Sequence, residues 1–167
     1  MDEQRQRLIF ERWSADHVAI IERTVRGFSC SDADADDLRQ ELWLALWRAV
    51  PAFRDDARSS TFVYRVAHNA ALSWHRRHSN RPTEPLVAPE TVVDRPRDDG
   101  RVHRLIERHV RDLPPIDRSL LMLSLDGLSY RDIAAIHGGT ANSVGVRLHR
   151  LRTRLLETVR EEIDEPR

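Results

Sequence analysis

Residues 113–155 read LPPIDRSLLMLSLDGLSYRDIAAIHGGTANSVGVRLHRLRTRL, and the fold turns on how they are parsed. Proline is tolerated in the first turn of a helix, where its missing N–H has no intrahelical partner to lose. Leu113-Pro114-Pro115 therefore opens a helix over about Ile116 to Leu125, which Asp126-Gly127 ends. Ser129 followed three residues later by Asp132 is a capping-box pattern and predicts a short helix to His137. Gly138-Gly139 supplies a tight turn, and Thr140 is placed to cap a last helix. At about 100° per residue, Val144, Leu148, Leu151 and Leu155 fall in one apolar stripe. Asn142, Val146, His149 and Thr153 fall opposite, flanked by Ser143, Arg147, Arg150 and Arg154. Such a helix buries one face and offers amide, hydroxyl and guanidinium groups on the other, as major-groove reading requires. With the short helix and Gly turn before it, it makes a helix-turn-helix. The bland alternative is a surface helix with solvated arginines. The ordered set Ser129, Tyr130, Ile133, Ala134, Gly138, Val144 and Leu148 argues against that.

Towards the N-terminus, apolar residues from Leu8 to Phe28 recur at spacings of three and four, predicting one amphipathic helix over Arg7 to Phe28. A second helix begins at the acidic cluster Asp34, Asp36, Asp37, where carboxylates favour the positive end of the helix dipole, and stops at Pro51. Its stretch 34–53 reads DADDLRQELWLALWRAVPAF, with Leu38, Leu42, Ala45, Leu46 and Ala49 on one face and Trp43 and Trp47 beside it. A charged loop from Arg54 to Ser60 leads to a third helix over about Thr61 to His78, whose residues 61–77 read TFVYRVAHNAALSWHRR. Pro82, Pro85, Pro89 and Pro96 then crowd a polar interval with no helical period. The expected fold is all-α. Two small helical domains, 1–78 and 101–167, are joined by a flexible Pro-rich linker, 79–100, and the second is a helix-turn-helix.

The chain has 27 Arg and no Lys against 27 Asp and Glu, so bulk attraction to DNA is not the signal. The signal is local: residues 140–160 hold five Arg and one Glu. A cationic strip on a neutral protein suits a factor that meets DNA after docking elsewhere. Cys30 stands alone, which excludes an intrachain disulfide and a Cys-rich zinc site. No apolar run reaches the roughly 18–20 residues that span a bilayer. The charged N-terminus MDEQRQRLIF is unlike a signal peptide, so a cytoplasmic protein is expected. No catalytic constellation emerges. His75 and His78 lack a carboxylate or thiolate at ligand spacing, and Ser29-Cys30-Ser31 has no paired base. Neither enzyme activity nor a cofactor is expected.

These segments resemble the extracytoplasmic-function (ECF) sigma factors, the small sigma-70-type subunits of bacterial RNA polymerase that retain regions two and four. Residues 34–53 are similar to region 2.2, 61–77 to regions 2.3 and 2.4, and 113–152 to region four. The resemblance implies that Asp36, Asp37, Gln40 and Glu41 meet the beta-prime clamp helices of core RNA polymerase, while region four meets the beta flap. It implies that Arg58, Ser60, Thr61, Tyr64, Asn69, Ser73, Arg76 and Arg77 hold the single-stranded minus-ten element, although Tyr64 equally suits a core position. Thr140, Asn142, Ser143, Val146, Arg147 and Arg150 would then contact the minus-thirty-five duplex. Promoter DNA and an anti-sigma factor complete the implied partners, with no membrane insertion. Three positions depart from the family pattern: Phe62 replaces a usual Trp, Gly145 a frequent Lys, and Val146 a frequent Ser. Two alternatives share the helix-turn-helix. A LuxR-type regulator would bind duplex DNA without polymerase, and a sigma-like interaction protein would dock without initiating.

Overall fold

A computed structural model describes residues 2–54, 58–78 and 99–164, all helix or connecting turn, with no strand among them. The predicted linker, apart from Asp99 and Gly100, lies outside the described residues, as do residues 55–57 of the charged loop. The chain divides into two compact units, Met1–Leu86 and Val87–Arg167.

The first unit holds α1 (Glu3–Asp16), α2 (Val18–Phe28), α3 (Asp32–Ala49), a single 3-10 turn at Val50–Ala52, and α4 (Ser59–His78). The single helix expected over Arg7 to Phe28 is in fact two. His17 leaves helical geometry at φ −122°, ψ 13°, and the chain turns there. Its imidazole meets Ser59 Oγ at 3.1 Å, tying this corner to the first turn of α4. A one-residue bend preserves the three-and-four spacing, so periodicity alone does not reveal it. The two faces part company in space. Phe10 on α1 sits edge-on against Trp43 and Trp47 of α3, with centroids 6.0 and 5.3 Å apart. Trp13 packs against Phe53 at 4.9 Å and Phe62 at 5.5 Å. On α2, Ile20, Ile21, Val25 and Phe28 turn into the core instead.

Helix α3 starts two residues earlier than the acidic cluster suggested, because Ser31 caps it: its Oγ accepts the Asp34 N–H at 3.0 Å. Leu38, Leu42 and Leu46 are fully buried, as are Val63, Ala67 and Ala71 on α4, the helix packed against α3. The adjoining stripe Phe62, Val66 and Ala70 is only half-buried. Full burial of one Leu is worth roughly 1.5–3 kcal/mol, so this α3 stripe is a main prop of the unit.

The second unit holds α5 (Asp99–Asp112), α6 (Pro115–Leu125), α7 (Tyr130–His137) and α8 (Ala141–Asp164). Leu120, Leu121, Leu123, Ile133, Ile136, Val144, Leu148, Leu151 and Val159 form its core. Polar groups close the corners. Arg118, 6% exposed, donates to the Arg111 and Leu113 carbonyls and so seals the Pro-rich α5–α6 turn. Ser119 Oγ meets His137 Nε2 at 2.8 Å, joining α6 to α7. Glu162 pairs with Arg108 and, at 2.8 Å, with His109, joining the end of α8 to α5. The α7–α8 turn needs Gly138 and Gly139, whose φ angles are 84° and 94°, a region that side chains disfavour.

Candidate nucleic-acid interface

On α8, Thr140 and Ser143 form a reciprocal cap: the Ser143 N–H donates to Thr140 Oγ1, and the Thr140 N–H donates to Ser143 Oγ, each at 3.1 Å. Ser143 Oγ also donates to the Thr140 carbonyl at 2.8 Å. Both side chains are exposed, yet their polar atoms already hold the helix start. Arg147 is committed as well. Its Nε donates to Asp117 Oδ1 at 2.6 Å and clasps α8 to α6. Arg152 similarly reaches Ser124 Oγ at 2.6 Å. Asn142, Val146 and Arg150 stand exposed on the side opposite the buried Val144, Leu148 and Leu151. They share that surface with His149 and Tyr130, which line a shallow hollow beside them and were absent from the sequence-derived set. Tyr130 lies on a different helix, so no spacing within α8 pointed to it.

The charge of Arg147 also reaches His137. Burial first, and that guanidinium second, hold the His137 imidazole below its ordinary pKa, favouring its neutral form. Burial acts to raise the pKa of Glu162, but hydrogen bonds and charge from Arg108 and His109 outweigh it and hold the carboxyl low.

In the first unit, Asn69 and Arg76 are exposed on the face of α4 turned away from the core, with half-buried Ser73 between them. Arg76 Nη2 donates to Ser73 Oγ at 3.1 Å. Arg58 is exposed before α4, and Ser60 and Thr61 are half-buried in its first turn. Tyr64 is placed differently. It is 7% exposed, and its hydroxyl accepts from Arg23 Nη2 at 3.1 Å, so its ring belongs to the core reading and not to an open DNA face. Arg65, missing from the predicted set, lies on the exposed face beside Asn69, with its guanidinium carbon 5.6 Å from the Phe62 ring centroid. Its position four residues before Asn69 was the available signal.

On α3, Asp37 and Gln40 are exposed, whereas Asp36 is held by Arg39 at 2.6 Å. Arg39 also forks onto Glu22 of α2, at 2.8 and 3.2 Å. Glu41 accepts from Arg77 of α4 at 2.9 Å. The candidate polymerase face and the candidate minus-ten face thus share an ion pair across α3 and α4. Trp43 and Trp47 fill the space between α1 and α3. Among the described residues, no group of three His, Cys, Asp or Glu is arranged to hold a metal ion. None of the described helices is long and apolar enough to cross a membrane.

Described residues that are all helix or turn and include a helix-turn-helix with an arginine-bearing exposed face have the form of a DNA-binding module. Comparison with known proteins narrows the class. Residues 15–81 match the Sigma-70 region 2 family and residues 103–155 match Sigma-70, region 4. The ECF RNA polymerase sigma factor SigM of Mycobacterium tuberculosis (strain H37Rv) is 32% identical over 152 residues, covering 89% of this chain and 76% of SigM. The ECF RNA polymerase sigma-E factor of Escherichia coli K12 is 26% identical over 170 residues, covering 90% of this chain and 84% of that protein. A solved structure of CnrH, in complex with the cytosolic domain of CnrY, superposes with a TM-score of 0.66 at 20% identity, covering 93% of this chain and 89% of that one. The chain belongs to the ECF branch of the sigma-70 family, whose members are non-enzymatic transcription initiation factors.

Proposed function

We propose that this chain binds core RNA polymerase and directs it to a specific set of promoters. Residues 1–78 dock on the polymerase and capture the melted minus-ten strand, residues 101–167 read the minus-thirty-five duplex, and residues 79–100 link the two. The observation that carries this reading is the two-sidedness of α8: Val144, Leu148 and Leu151 are buried while Asn142, Val146 and Arg150 face solvent. Asp37 and Gln40, with the Glu41–Arg77 pair beside them, supply a polar face suited to the beta-prime clamp helices. The exposed Arg58, Asn69 and Arg76, with Ser73, suit a single strand: Asn offers a donor and an acceptor to a base edge, and Arg holds phosphate. Binding only the melted strand pulls the promoter towards the open state. The second unit also docks on the beta flap. An anti-sigma factor completes the partner set, in keeping with a net charge of zero, and the place of action is the cytoplasm.

The test is run-off transcription with purified core polymerase on fragmented host DNA, with and without this protein. Protein-dependent transcripts from a small promoter set are expected. Arg150→Ala should weaken them roughly 5- to 100-fold, the range for losing one good base contact. Binding to duplex DNA with no affinity for core would replace this reading with the regulator, and core binding without a transcript would replace it with the interaction protein.

A further inference from the structure

Gly145 sits within α8, where glycine is the poorest helix former short of proline. Its backbone does not call for it, since the positive φ angles belong to Gly127, Gly138 and Gly139. The reason is space. A Cβ at position 145 would stand 3.2 Å from both Cδ2 and Cε2 of Tyr130, so the bare backbone lets that ring lie directly against the reading helix. Beside this contact opens the shallow hollow, about 350 Å³, lined by Tyr130, Asn142, Gly145, Val146, His149 and Arg150. Tyr130 and Val146, 41% and 44% exposed, make its walls apolar on a surface that is otherwise polar and cationic. Asn142 and Arg150 also line it, one able to pair with a base edge and the other with phosphate or guanine.

Within the major groove, the apolar feature that a base pair presents is the C5-methyl of thymine. We propose that Gly145, Tyr130 and Val146 form a methyl-reading notch that selects thymine at one position of the minus-thirty-five duplex. The proposal rests on the reading of α8 as the minus-thirty-five helix and adds the chemistry of one base to it. Gly145 acts by leaving room, Tyr130 and Val146 by contact. A side chain at 145 would push the Tyr130 ring off the helix and so unmake that wall of the notch, and the departure from the frequent Lys trades a cation for a methyl contact.

The test uses holoenzyme on a promoter found by run-off, with each upstream duplex position converted in turn to T·A and then to U·A, which deletes only the methyl. At one position uracil should lower transcription roughly fourfold, the value of one buried methyl. Gly145→Ala, whose Cβ would displace the Tyr130 wall, and Val146→Ser, which removes an exposed apolar wall without touching the core, should each abolish that difference. A wild type indifferent to uracil at every position overturns the notch, and so does a penalty of full size in both variants. If the wild type still transcribes and Arg150→Ala still weakens it, the notch alone has failed. Should no transcript depend on the protein, the minus-thirty-five reading fails and takes the notch with it.

Discussion

The two units solve the same problem, holding a short helical bundle together while exposing an arginine-bearing helix, by different means. In the first, rings do the joining: Phe10, Trp13, Trp43, Trp47, Phe53 and Phe62 meet edge to face or tilted across α1, α3, α4 and the turn between them. The second unit contains no Phe or Trp and is pinned at its corners by Arg118, Ser119 with His137, Asp117 with Arg147, and Glu162. Aromatic burial is indifferent to pH and little affected by salt, whereas paired polar groups depend on protonation and screening. The first unit, whose rings add to polar ties such as Arg39–Glu22 and Glu41–Arg77, should therefore lose less than the second across changes of pH and salt.

The largest contrast is expected from deleting one joint in each unit. Trp13→Ala removes a ring that is 4% exposed and should cost the first unit about 3–5 kcal/mol. Arg118→Met leaves two carbonyls without their donor and should cost the second about 1.5–3 kcal/mol. Denaturant unfolding followed separately in each unit checks both. A larger loss from Arg118→Met than from Trp13→Ala would break the comparison.

A smaller effect separates two arginines of α8. Arg147→Ala gives up the Asp117 clasp, half-exposed on the Arg side, and should lower second-unit stability by about 0.5–1 kcal/mol. Arg150→Ala should leave stability within about 0.5 kcal/mol of wild type while weakening promoter output. Equal thermal shifts in the two variants would show that the clasp holds nothing.

The smallest effect is in pH. Burial, then Arg147, holds the folded pKa of His137 below 6.5, so protonation favours the unfolded chain. Its contribution is present above about pH 6.5 and is lost as pH falls through the lowered folded value. His17, lowered by burial against the opposing charge of Asp16, does the same in the first unit. His137→Gln should flatten the pH dependence of second-unit unfolding between pH 7.5 and 5.5, and His17→Gln that of the first. The comparison sharpens if the wild-type second unit loses more over this range, and a second unit whose unfolding is flat with pH removes His137 from it.

Local signals were legible. Ser129 and Thr140 cap the helices they were expected to cap, because a capping side chain reaches backbone only two or three residues away. The apolar stripe of α8 is buried as its period predicted, through Leu151. The break at His17 was not legible, since the spacing of Trp13, Ile20 and Ile21 runs through it unchanged. Tyr64 sat at the border between the buried and exposed sides of α4, and in the fold it is buried with its hydroxyl bonded by Arg23, 41 residues away. Arg147 stands in the sequence as a candidate base reader, and its pairing with Asp117, 30 residues earlier, comes from the fold alone.

By itself, the sequence determined the helical class, the caps, the core stripes and the family, because each depends on neighbours within about two turns or on the order of motifs along the chain. Tertiary structure alone decided which polar groups are spent inside the fold and which are left for a partner. Arg39, Glu41, Arg77 and Arg147 look alike in a sequence whether engaged or idle. Only the meeting of α2 with α3, α3 with α4, and α6 with α8 shows where those charges go, and only the Tyr130 ring against Gly145 shows what a side chain at that position of α8 would meet.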